Sequence, residues 1–296
     1  MQINWYPGHM AKAKRLLTEQ VSRVDAVIEI CDARLPRASR NPQLDQIARN
    51  KARVLLLNKA DLADPALTKR WLAYFEKRGL PCAAVTASQD ARGVLRAIER
   101  LTREKVERSA ARGLRRTVRV MVVGVPNVGK STLINRLHGG SVARVGDRPG
   151  VTRANQWVQA GEYLELLDTP GLLRPRLDDP VAARRLAYIA AIRDEVVDTF
   201  ALSISLLEEL TEIAPQALEQ RYHFSDMTLR GQALLEAVCR GRGFVMRGGE
   251  LDLERACAVA LDEFRDGKLG RVTLEAPPQP KENQEDAPHA DGQENA

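Results

Sequence analysis

The stretch Gly124-Val125-Pro126-Asn127-Val128-Gly129-Lys130-Ser131-Thr132 decides the fold of this chain. It follows the apolar run 118–123 and precedes the helix-like run 133–137. A strand, a glycine-bounded loop and a helix with the spacing G-x-x-x-x-G-K-[ST] are typical of a phosphate-binding loop. Backbone N–H groups and the helix N-terminus attract the anion, and Lys130 adds a full positive charge. The stretch therefore predicts a site for a nucleoside triphosphate, with Ser131 as a ligand of Mg²⁺.

The pattern of apolar residues predicts two domains and a tail. Strand-like and helix-like runs alternate over residues 1–178, which is typical of an α/β domain with a mostly parallel sheet. Residues 179–275 are apolar only at helical spacing, so a small all-helical domain is expected there. An N-terminal arm, 1–20, precedes the first domain, and the Pro- and Glu-rich residues 276–296 predict a disordered acidic tail. The predicted strands are 24–31, 53–57, 81–85, 118–123, 157–158 and 163–167.

The composition excludes some classes of protein. The chain has 296 residues, and no apolar run approaches the roughly 20 residues of a membrane helix, so no membrane partner is expected. Four dispersed cysteines predict reduced thiols and a cytoplasmic protein. Residues 1–180 carry 32 Lys and Arg against 18 Asp and Glu. This surplus indicates either a nucleic-acid partner or an ordinary solvated surface.

A second motif predicts which base is bound. Asn58-Lys59-Ala60-Asp61 follows an apolar strand and matches the N-K-x-D motif of GTPases. The Asp61 carboxylate can accept hydrogen bonds from the ring N–H and the exocyclic amine of guanine together, whereas adenine offers no such pair. We expect the stem of Lys59 to lie over the base, and the backbone of Thr86-Ala87-Ser88 to contact the guanine carbonyl. The two motifs favour GTP over the alternative of a generic P-loop ATPase.

Two further segments complete the predicted site. Asp168-Thr169-Pro170-Gly171 fits the D-x-x-G motif, in which Asp168 reaches Mg²⁺ through water and the Gly171 N–H meets the γ-phosphate. Thr152, in a loop between the two phosphate-binding motifs, can give Mg²⁺ a second hydroxyl ligand. N-K-x-D comes before the phosphate loop, whereas it comes late in Ras-like GTPases. The predicted domain is therefore a circularly permuted P-loop GTPase.

The group that activates water is less evident. Ras-type enzymes place a glutamine directly after D-x-x-G, and this chain has Leu172 there. His9, in the N-terminal arm, is a candidate because a neutral imidazole can accept a proton from water near pH 7. A structural or RNA-contacting His9 is the alternative.

Three features of the chain are typical of one family: the opening Asn4-Trp5-Tyr6-Pro7-Gly8-His9-Met10-Ala11-Lys12-Ala13, the stretch Asp32-Ala33-Arg34-Leu35-Pro36, and the permuted motif order. With these features the chain resembles the ribosome biogenesis GTPase A family, over residues 1 to about 270. The resemblance implies a GTPase that acts late in large-subunit assembly and contacts rRNA through its helical domain. It also implies catalysis by His9, a hydrophobic residue at position 172, and a K⁺ ion held by Asn127.

The expected partner is therefore the large ribosomal subunit precursor with its rRNA, and ribosomal proteins are further candidates. The leading interpretation is a GTP hydrolase, monomeric off the ribosome, that the particle stimulates. The alternative is a GTP-dependent switch on a protein partner, with little hydrolysis of its own. Residues 181–275 carry 12 Lys and Arg against 16 Asp and Glu, so RNA binding there would need a local cluster. The candidate RNA-binding residues are Arg240, Arg242 and Arg247, and in the first domain Lys12, Lys14, Arg15 and the loop 37–40.

Overall fold

The computed structural model describes residues 7–89, 91–113, 117–143, 156–171 and 179–279, with 7–14 and 91–92 described by their backbone alone. Within these ranges strands and helices alternate as far as Asp168, and helices dominate from Pro180 onward. The strands are β1 (Ala26–Asp32), β2 (Ala52–Asn58), β3 (Cys82–Ala84), β4 (Val118–Val123), β5 (Gln156–Ala160) and β6 (Leu164–Asp168). The helices are α1 (Pro7–Ser22), α2 (Gln43–Ile47), α3 (Pro65–Lys77), α4 (Ala91–Ala110), α5 (Lys130–His138), α6 (Pro180–Tyr188), α7 (Thr199–Ile213), α8 (Pro215–Tyr222), α9 (Gly231–Arg242) and α10 (Leu253–Arg265), with a 3₁₀ turn at Asp194–Val196.

The described strands form one sheet in the order β3-β2-β1-β4-β6-β5. All neighbouring pairs are parallel except β5 and β6, which form an antiparallel hairpin. In a parallel sheet the carboxyl ends of the strands meet at one edge. Asp32, Asn58, Gly124 and Asp168 therefore come together at that edge, although up to 136 residues separate them in the chain.

Both faces of the sheet are covered, which explains why its central strands read as continuous apolar runs. All seven residues of β1 are buried. On one face Ile28 packs in the cluster that includes Val94 of α4 and Leu133 of α5. On the other face Leu17 and Val21 of α1 join Met121 of β4, and α3 covers the outer strands through Trp71 and Phe75.

Local capping explains where several helices begin. Asp64 accepts a hydrogen bond from the Leu67 N–H at 2.6 Å, and Pro65 occupies the first helical position of α3. Asp179 and Pro180 do the same for α6, where Asp179 accepts from the Val181 and Ala182 N–H groups. Each acidic cap satisfies a donor that the helix itself leaves unpaired.

The N-terminal helix is longer than the sequence predicts. A helix-like run is expected from Met10 to Gln20, but α1 begins at Pro7 and ends at Ser22. Proline suits the first helical position because its fixed φ matches the helix and its missing N–H would be unpaired there in any case. The backbone of His9 therefore belongs to the first turn of α1 and not to an extended arm.

The helical part shares a core with the sheet. Leu186 of α6, Leu207 of α7 and Leu261 of α10 belong to the same apolar cluster as Ile28. An isolated antiparallel bridge joins Val245 and Leu251, in a region predicted to have no strand. No helix in the described ranges is long and apolar enough to cross a membrane.

Residues 267–275, here called the C-terminal strap, leave α10 and return to the α/β part of the molecule. Val272, Thr273, Leu274 and Glu275 are all buried there. The sequence predicts a helical domain up to residue 275, so this return of the chain was not anticipated. The final residues of the predicted acidic tail, 280–296, lie outside the described residues.

We expect Gly241→Ala to destabilise the helical part strongly. A Cβ atom at Gly241 of α9 would lie 1.6 Å from the carbonyl oxygen of Tyr222, at the end of α8, so one backbone would have to move. We expect a loss of about 2–4 kcal/mol in the free energy of unfolding, despite the better helix propensity of alanine. Urea titration measures it. Gly140→Ala is the matched control, because its Cβ would meet only ordinary contacts at 3.6 Å.

Candidate nucleotide-binding site

The phosphate loop lies between β4 and α5, at the carboxyl edge of the sheet, as predicted. Gly124 passes so close to β1 that a Cβ there would lie 2.4 Å from the Ile30 carbonyl oxygen. Gly129 and Asn127 both have left-handed backbones, with φ of +99° and +62°. These two positions turn the chain into the loop, and Gly129 accommodates the turn without steric strain.

Lys130 is already directed into the loop. It is buried, and its Nζ donates a 2.9 Å hydrogen bond to the Val125 carbonyl oxygen. Burial lowers the pKa of Lys130 to about 8, although the nearby Asp168 carboxylate works in the opposite direction. Bound phosphate would favour the charged ammonium form, so the loop holds a cation that gains from an anionic ligand.

Ser131 and Asp168 bring two oxygen donors together beside the loop. The Ser131 Oγ and the Asp168 Oδ2 are 3.4 Å apart, and Asp168 is buried at the end of β6. The hydroxyl of Thr169 donates to the Val122 carbonyl oxygen at 2.7 Å, which fixes the start of the D-x-x-G segment against β4. A hydroxyl and a carboxylate are the donor types that Mg²⁺ prefers, so these residues fit that ion.

Gly171 lies directly on the phosphate loop. A Cβ at this position would be 2.8 Å from atoms of Pro126, so a side chain does not fit there. The last residue of D-x-x-G therefore lies against the predicted phosphate-binding loop. Thr132 follows in the first turn of α5 and is half-buried.

The side chain of Asn58 joins three loops. Its Nδ2 donates to the Val128 carbonyl oxygen of the phosphate loop at 2.6 Å, and its Oδ1 accepts from the Ala87 N–H at 2.7 Å. Gly129 packs against the same amide, since a Cβ there would lie 2.3 Å from Asn58 Nδ2. This structural role was missed in the sequence, where Asn58 counts only as the first letter of a motif.

The two charged residues of the N-K-x-D motif are also held in place. Lys59 has a left-handed backbone with φ of +58°, and its Nζ lies 3.7 Å from the Asp32 Oδ2. The Thr86 hydroxyl donates to the Asp61 Oδ1 at 3.1 Å, and Asp61 itself is exposed. The predicted segments 58–61 and 86–88 are therefore brought together at one end of the site.

Asp32 and Arg34 form a buried support beneath Lys59. The Arg34 Nη2 lies 2.9 Å from the Asp32 Oδ2, and both side chains are almost fully buried. Burial opposes ionisation of Asp32, but the Arg34 guanidinium and the Lys59 ammonium together hold its pKa below the ordinary value of 3.8. The sequence singled out this stretch only as a family signature. A charged pair after a buried strand was the available signal.

Asn127 contacts the helical part of the molecule. Its Nδ2 donates to the Ala190 carbonyl oxygen, just beyond α6, at 2.7 Å. Ala190 has a left-handed φ of +55°. The side chain predicted to hold K⁺ thus also links the phosphate loop to the helices.

Some predicted residues lie outside what the structure describes. Thr152 and Leu172 fall between described ranges, and of His9 only the backbone is described.

The arginines predicted to contact RNA are largely engaged in ion pairs. Arg40 lies 3.0 Å from Glu29 and 2.8 Å from Asp45, so it locks its loop to the sheet. In the helical part Arg240 pairs with Glu236, and Arg242 with Glu263. The Arg240 side chain nevertheless stays largely exposed. RNA binding by the loop 37–40 and by Arg240, Arg242 and Arg247 therefore stays a prediction.

Comparison with known sequences identifies close relatives of nearly the same length. A family described as "50S ribosome-binding GTPase" matches residues 119–226, from β4 into the helical part. The chain is 43% identical to "Ribosome biogenesis GTPase A" of Bacillus cereus, over 97% of this chain and 98% of that protein.

Solved structures agree with the fold. A structure of YlqF from T. maritima bound to GNP has a TM-score of 0.63 at 28% identity, and covers 90% of this chain and 98% of that one. A GDP-bound YlqF structure has a TM-score of 0.64 at 27% identity, with 88% and 99% covered. Both neighbours hold guanine nucleotides according to their names, and the similarity extends over the helical part as well as the sheet.

We expect Asn58→Ala to lower the stability of the protein and to weaken its binding of nucleotide. The substitution leaves a buried carbonyl and a buried N–H without their partners, and should cost about 2–4 kcal/mol of unfolding free energy. Urea titration without nucleotide checks this, and GDP binding should weaken in parallel. Asn135→Ala is the matched control. Its amide also bridges a loop, to Val142 and Ala143, but away from the phosphate loop, so GDP binding should survive.

Proposed function

The chain belongs to the ribosome biogenesis GTPase A family and hydrolyses GTP, and from this premise we propose that it promotes a late step in assembly of the large ribosomal subunit. It binds the precursor particle, hydrolyses GTP faster in its presence, and leaves after hydrolysis. The full-length match to Bacillus cereus ribosome biogenesis GTPase A supports this proposal, as does the matched family's description as ribosome-binding.

The two hydrogen bonds of the Asn58 side chain, to Val128 and Ala87, are the observation that best supports the nucleotide site. They bring the N-K-x-D segment against the phosphate loop, so that base and phosphates of one nucleotide can be bound together. In this proposal the Asp61 carboxylate accepts hydrogen bonds from guanine, and the Lys59 stem covers the base. The backbone of Thr86 and Ala87 contacts the guanine carbonyl. The phosphates lie on the backbone of 127–132 and beside Lys130, while Gly171 meets the γ-phosphate.

Ser131 would hold Mg²⁺ directly and Asp168 would hold it through water, with Thr152 as the further ligand we propose. The 3.4 Å separation of the Ser131 and Asp168 oxygens, and their chemistry, support this assignment. When bound, the ion neutralises charge that develops between the β- and γ-phosphates. Asn127 is the proposed K⁺ ligand. Its Nδ2 is directed at Ala190, so the ligating atom would be Oδ1.

His9 is the proposed group that orients the attacking water. Three residues separate the end of its helix, α1, from the amino end of β1, and α1 packs along the sheet through Leu17 and Val21. A helix that returns to the start of a strand has its own first turn directed toward the carboxyl edge, where the phosphate loop lies. Particle binding would then complete the site by fixing this turn.

The remaining features of the proposal concern partners and organisation. The proposed rRNA contacts are shared between the first domain and the helical part. They are Lys12, Lys14, Arg15, the loop 37–40, Arg240, Arg242 and Arg247. Ribosomal proteins are further contacts, and the protein acts in the cytoplasm as a monomer between particles. Residues 1–178 are the proposed GTPase domain and 179–275 the proposed helical domain, with 276–296 as the tail. The change to helices at Pro180 supports the first boundary, while the last nine residues of the helical domain, 267–275, return to the α/β part.

We expect large subunits to raise GTP turnover by at least tenfold in K⁺, and by much less in Na⁺. His9→Ala should lose most of that stimulation, because a positioned general base contributes about a hundredfold or more to the rate. GDP affinity should stay within twofold of the parent. Phosphate release measures turnover, with small subunits as the control particle. Turnover that large subunits leave unchanged would instead favour a GTP-dependent switch acting on a protein partner.

We expect Asp61→Asn to relax the choice of base. The substitution removes the carboxylate that accepts two hydrogen bonds from guanine, each worth about 1.5–3 kcal/mol, so GDP affinity should fall at least tenfold. An amide N–H can donate to the C2 carbonyl of xanthine, so XDP affinity should rise. That gain is the internal control for an intact fold. A parent protein that prefers ATP to GTP would contradict the guanine site altogether.

A further inference from the structure

The C-terminal strap, residues 267–275, is fastened to the loop that carries Asp61. The Arg271 Nη2 donates to the Ala60 carbonyl oxygen and its Nε to the Ala63 carbonyl oxygen, both at 2.9 Å. The Val272 N–H donates to the Leu62 carbonyl oxygen at 3.0 Å. Three carbonyl oxygens in the segment 60–63 therefore accept hydrogen bonds from the strap, which lies about 210 residues later in the chain.

The strap also contacts the end of the same loop and its side chains. The Thr273 hydroxyl accepts from the Asp64 N–H at 3.0 Å. Gly267, with φ of +74°, lies against Leu62, since a Cβ there would be 2.5 Å from the Leu62 Cδ2. Together these contacts hold Asp61 from both sides along the chain.

The other end of the strap is anchored in the α/β part. The Glu275 carboxylate accepts from the backbone N–H groups of Arg37 and Ala38, at 2.7 and 3.1 Å. The Glu275 carbonyl oxygen accepts from the Trp71 Nε1 at 2.8 Å, and the Leu274 N–H donates to the Arg34 carbonyl oxygen at 2.9 Å. The C-terminal end of the strap is therefore anchored to the α/β part by hydrogen bonds from backbone and side-chain groups.

The beginning of the strap is anchored to the helices. The Arg34 Nη1 donates to the Phe264 carbonyl oxygen at the end of α10 at 2.7 Å. Arg265 binds the carbonyl oxygens of Ala187 and Tyr188 at the end of α6 and pairs with Asp194. The helices, the strap and the 59–64 loop are therefore connected without a break by hydrogen bonds.

From these contacts we propose that the C-terminal strap is a positioning element of the guanine site, with Arg271 and Thr273 setting the place of Asp61. This inference rests on the proposed role of Asp61 in base recognition. Neither residue touches the nucleotide. They act through the 59–64 loop, so they govern how tightly the base is held and how fast the nucleotide leaves.

A positioning role makes a base-specific prediction. The exocyclic amine of guanine is absent from hypoxanthine, so IDP depends less than GDP on the placement of the Asp61 carboxylate. Arg271→Ala should raise the dissociation constant of GDP about threefold to tenfold, because hydrogen bonds to a charged donor are lost. The constant for IDP should change about twofold or less. A non-hydrolysable GTP analogue should lose as much affinity as GDP, because both carry the same base.

Two further variants of the full-length protein make the test decisive. Thr273→Val keeps the shape but removes the acceptor of the Asp64 N–H, and should lower the GDP-to-IDP preference in the same direction. Arg230→Ala is the matched control, because the Arg230 Nη1 also donates to two backbone carbonyl oxygens, of Met227 and Leu229, far from the loop. It should leave all three dissociation constants within twofold of the parent.

The outcomes separate the inference from the proposed function. An unchanged GDP-to-IDP preference in Arg271→Ala and Thr273→Val, with a normal circular dichroism spectrum, overturns the positioning role while the guanine site stands. A parent protein that binds IDP or ADP as tightly as GDP contradicts the guanine site itself. A fall in thermal stability with no change in preference would make the strap merely structural, which also overturns the inference.

Discussion

The hydrogen bonds of the Asn58 side chain are the constraint on which the site depends. One amide accepts from the loop after β3 and donates to the loop after β4, and it does so from the end of β2. Because the amide is buried, neither neighbouring loop can move away without leaving a polar group unsatisfied, which is costly. The base-binding and phosphate-binding segments therefore behave as one rigid unit.

The order of the strands in the sheet explains why the permuted chain order leaves the site intact. The loops that touch a nucleotide are neighbours because their strands are neighbours, in the order β3-β2-β1-β4-β6. Reordering the connections leaves those strand pairs and the edge they create unchanged. What the permutation does change is the continuation of the chain. Here β6 is followed, after residues outside the described ranges, by α6 and the other helices. After α10 the chain returns to the proposed base-binding loop as the C-terminal strap.

The parts of the site that the sequence predicted are those that each depend on a short local pattern. The phosphate loop, the 58–61 segment and the strand before each could be predicted because spacing and apolar runs are local signals. The strap could not be, because the Arg271 contacts with the carbonyls of Ala60 and Ala63 join residues far apart in the chain, and backbone carbonyls carry no sequence signature. The same holds for the ion pair of Arg40 with Glu29, which joins the loop 37–40 to β1 and has no local sequence signature.

The helical part is joined to the nucleotide site at two places, through the C-terminal strap at the 59–64 loop and through Ala190 at the phosphate loop. The two attachments meet different parts of a bound nucleotide. A ligand moves a domain only through contacts that differ between its two states. The strap contacts the proposed base-binding loop and also the segment 34–38 and Trp71. Because GDP and GTP share the base, the base-binding loop presents the same contacts to the strap in both states. In the proposed function the γ-phosphate acts at the other attachment, where Gly171 lies against Pro126 and Asn127 donates to the carbonyl oxygen of Ala190. A movement of the helices driven by the γ-phosphate would need one attachment that stays in place, and the buried contacts of Glu275 and Arg34 fit that requirement.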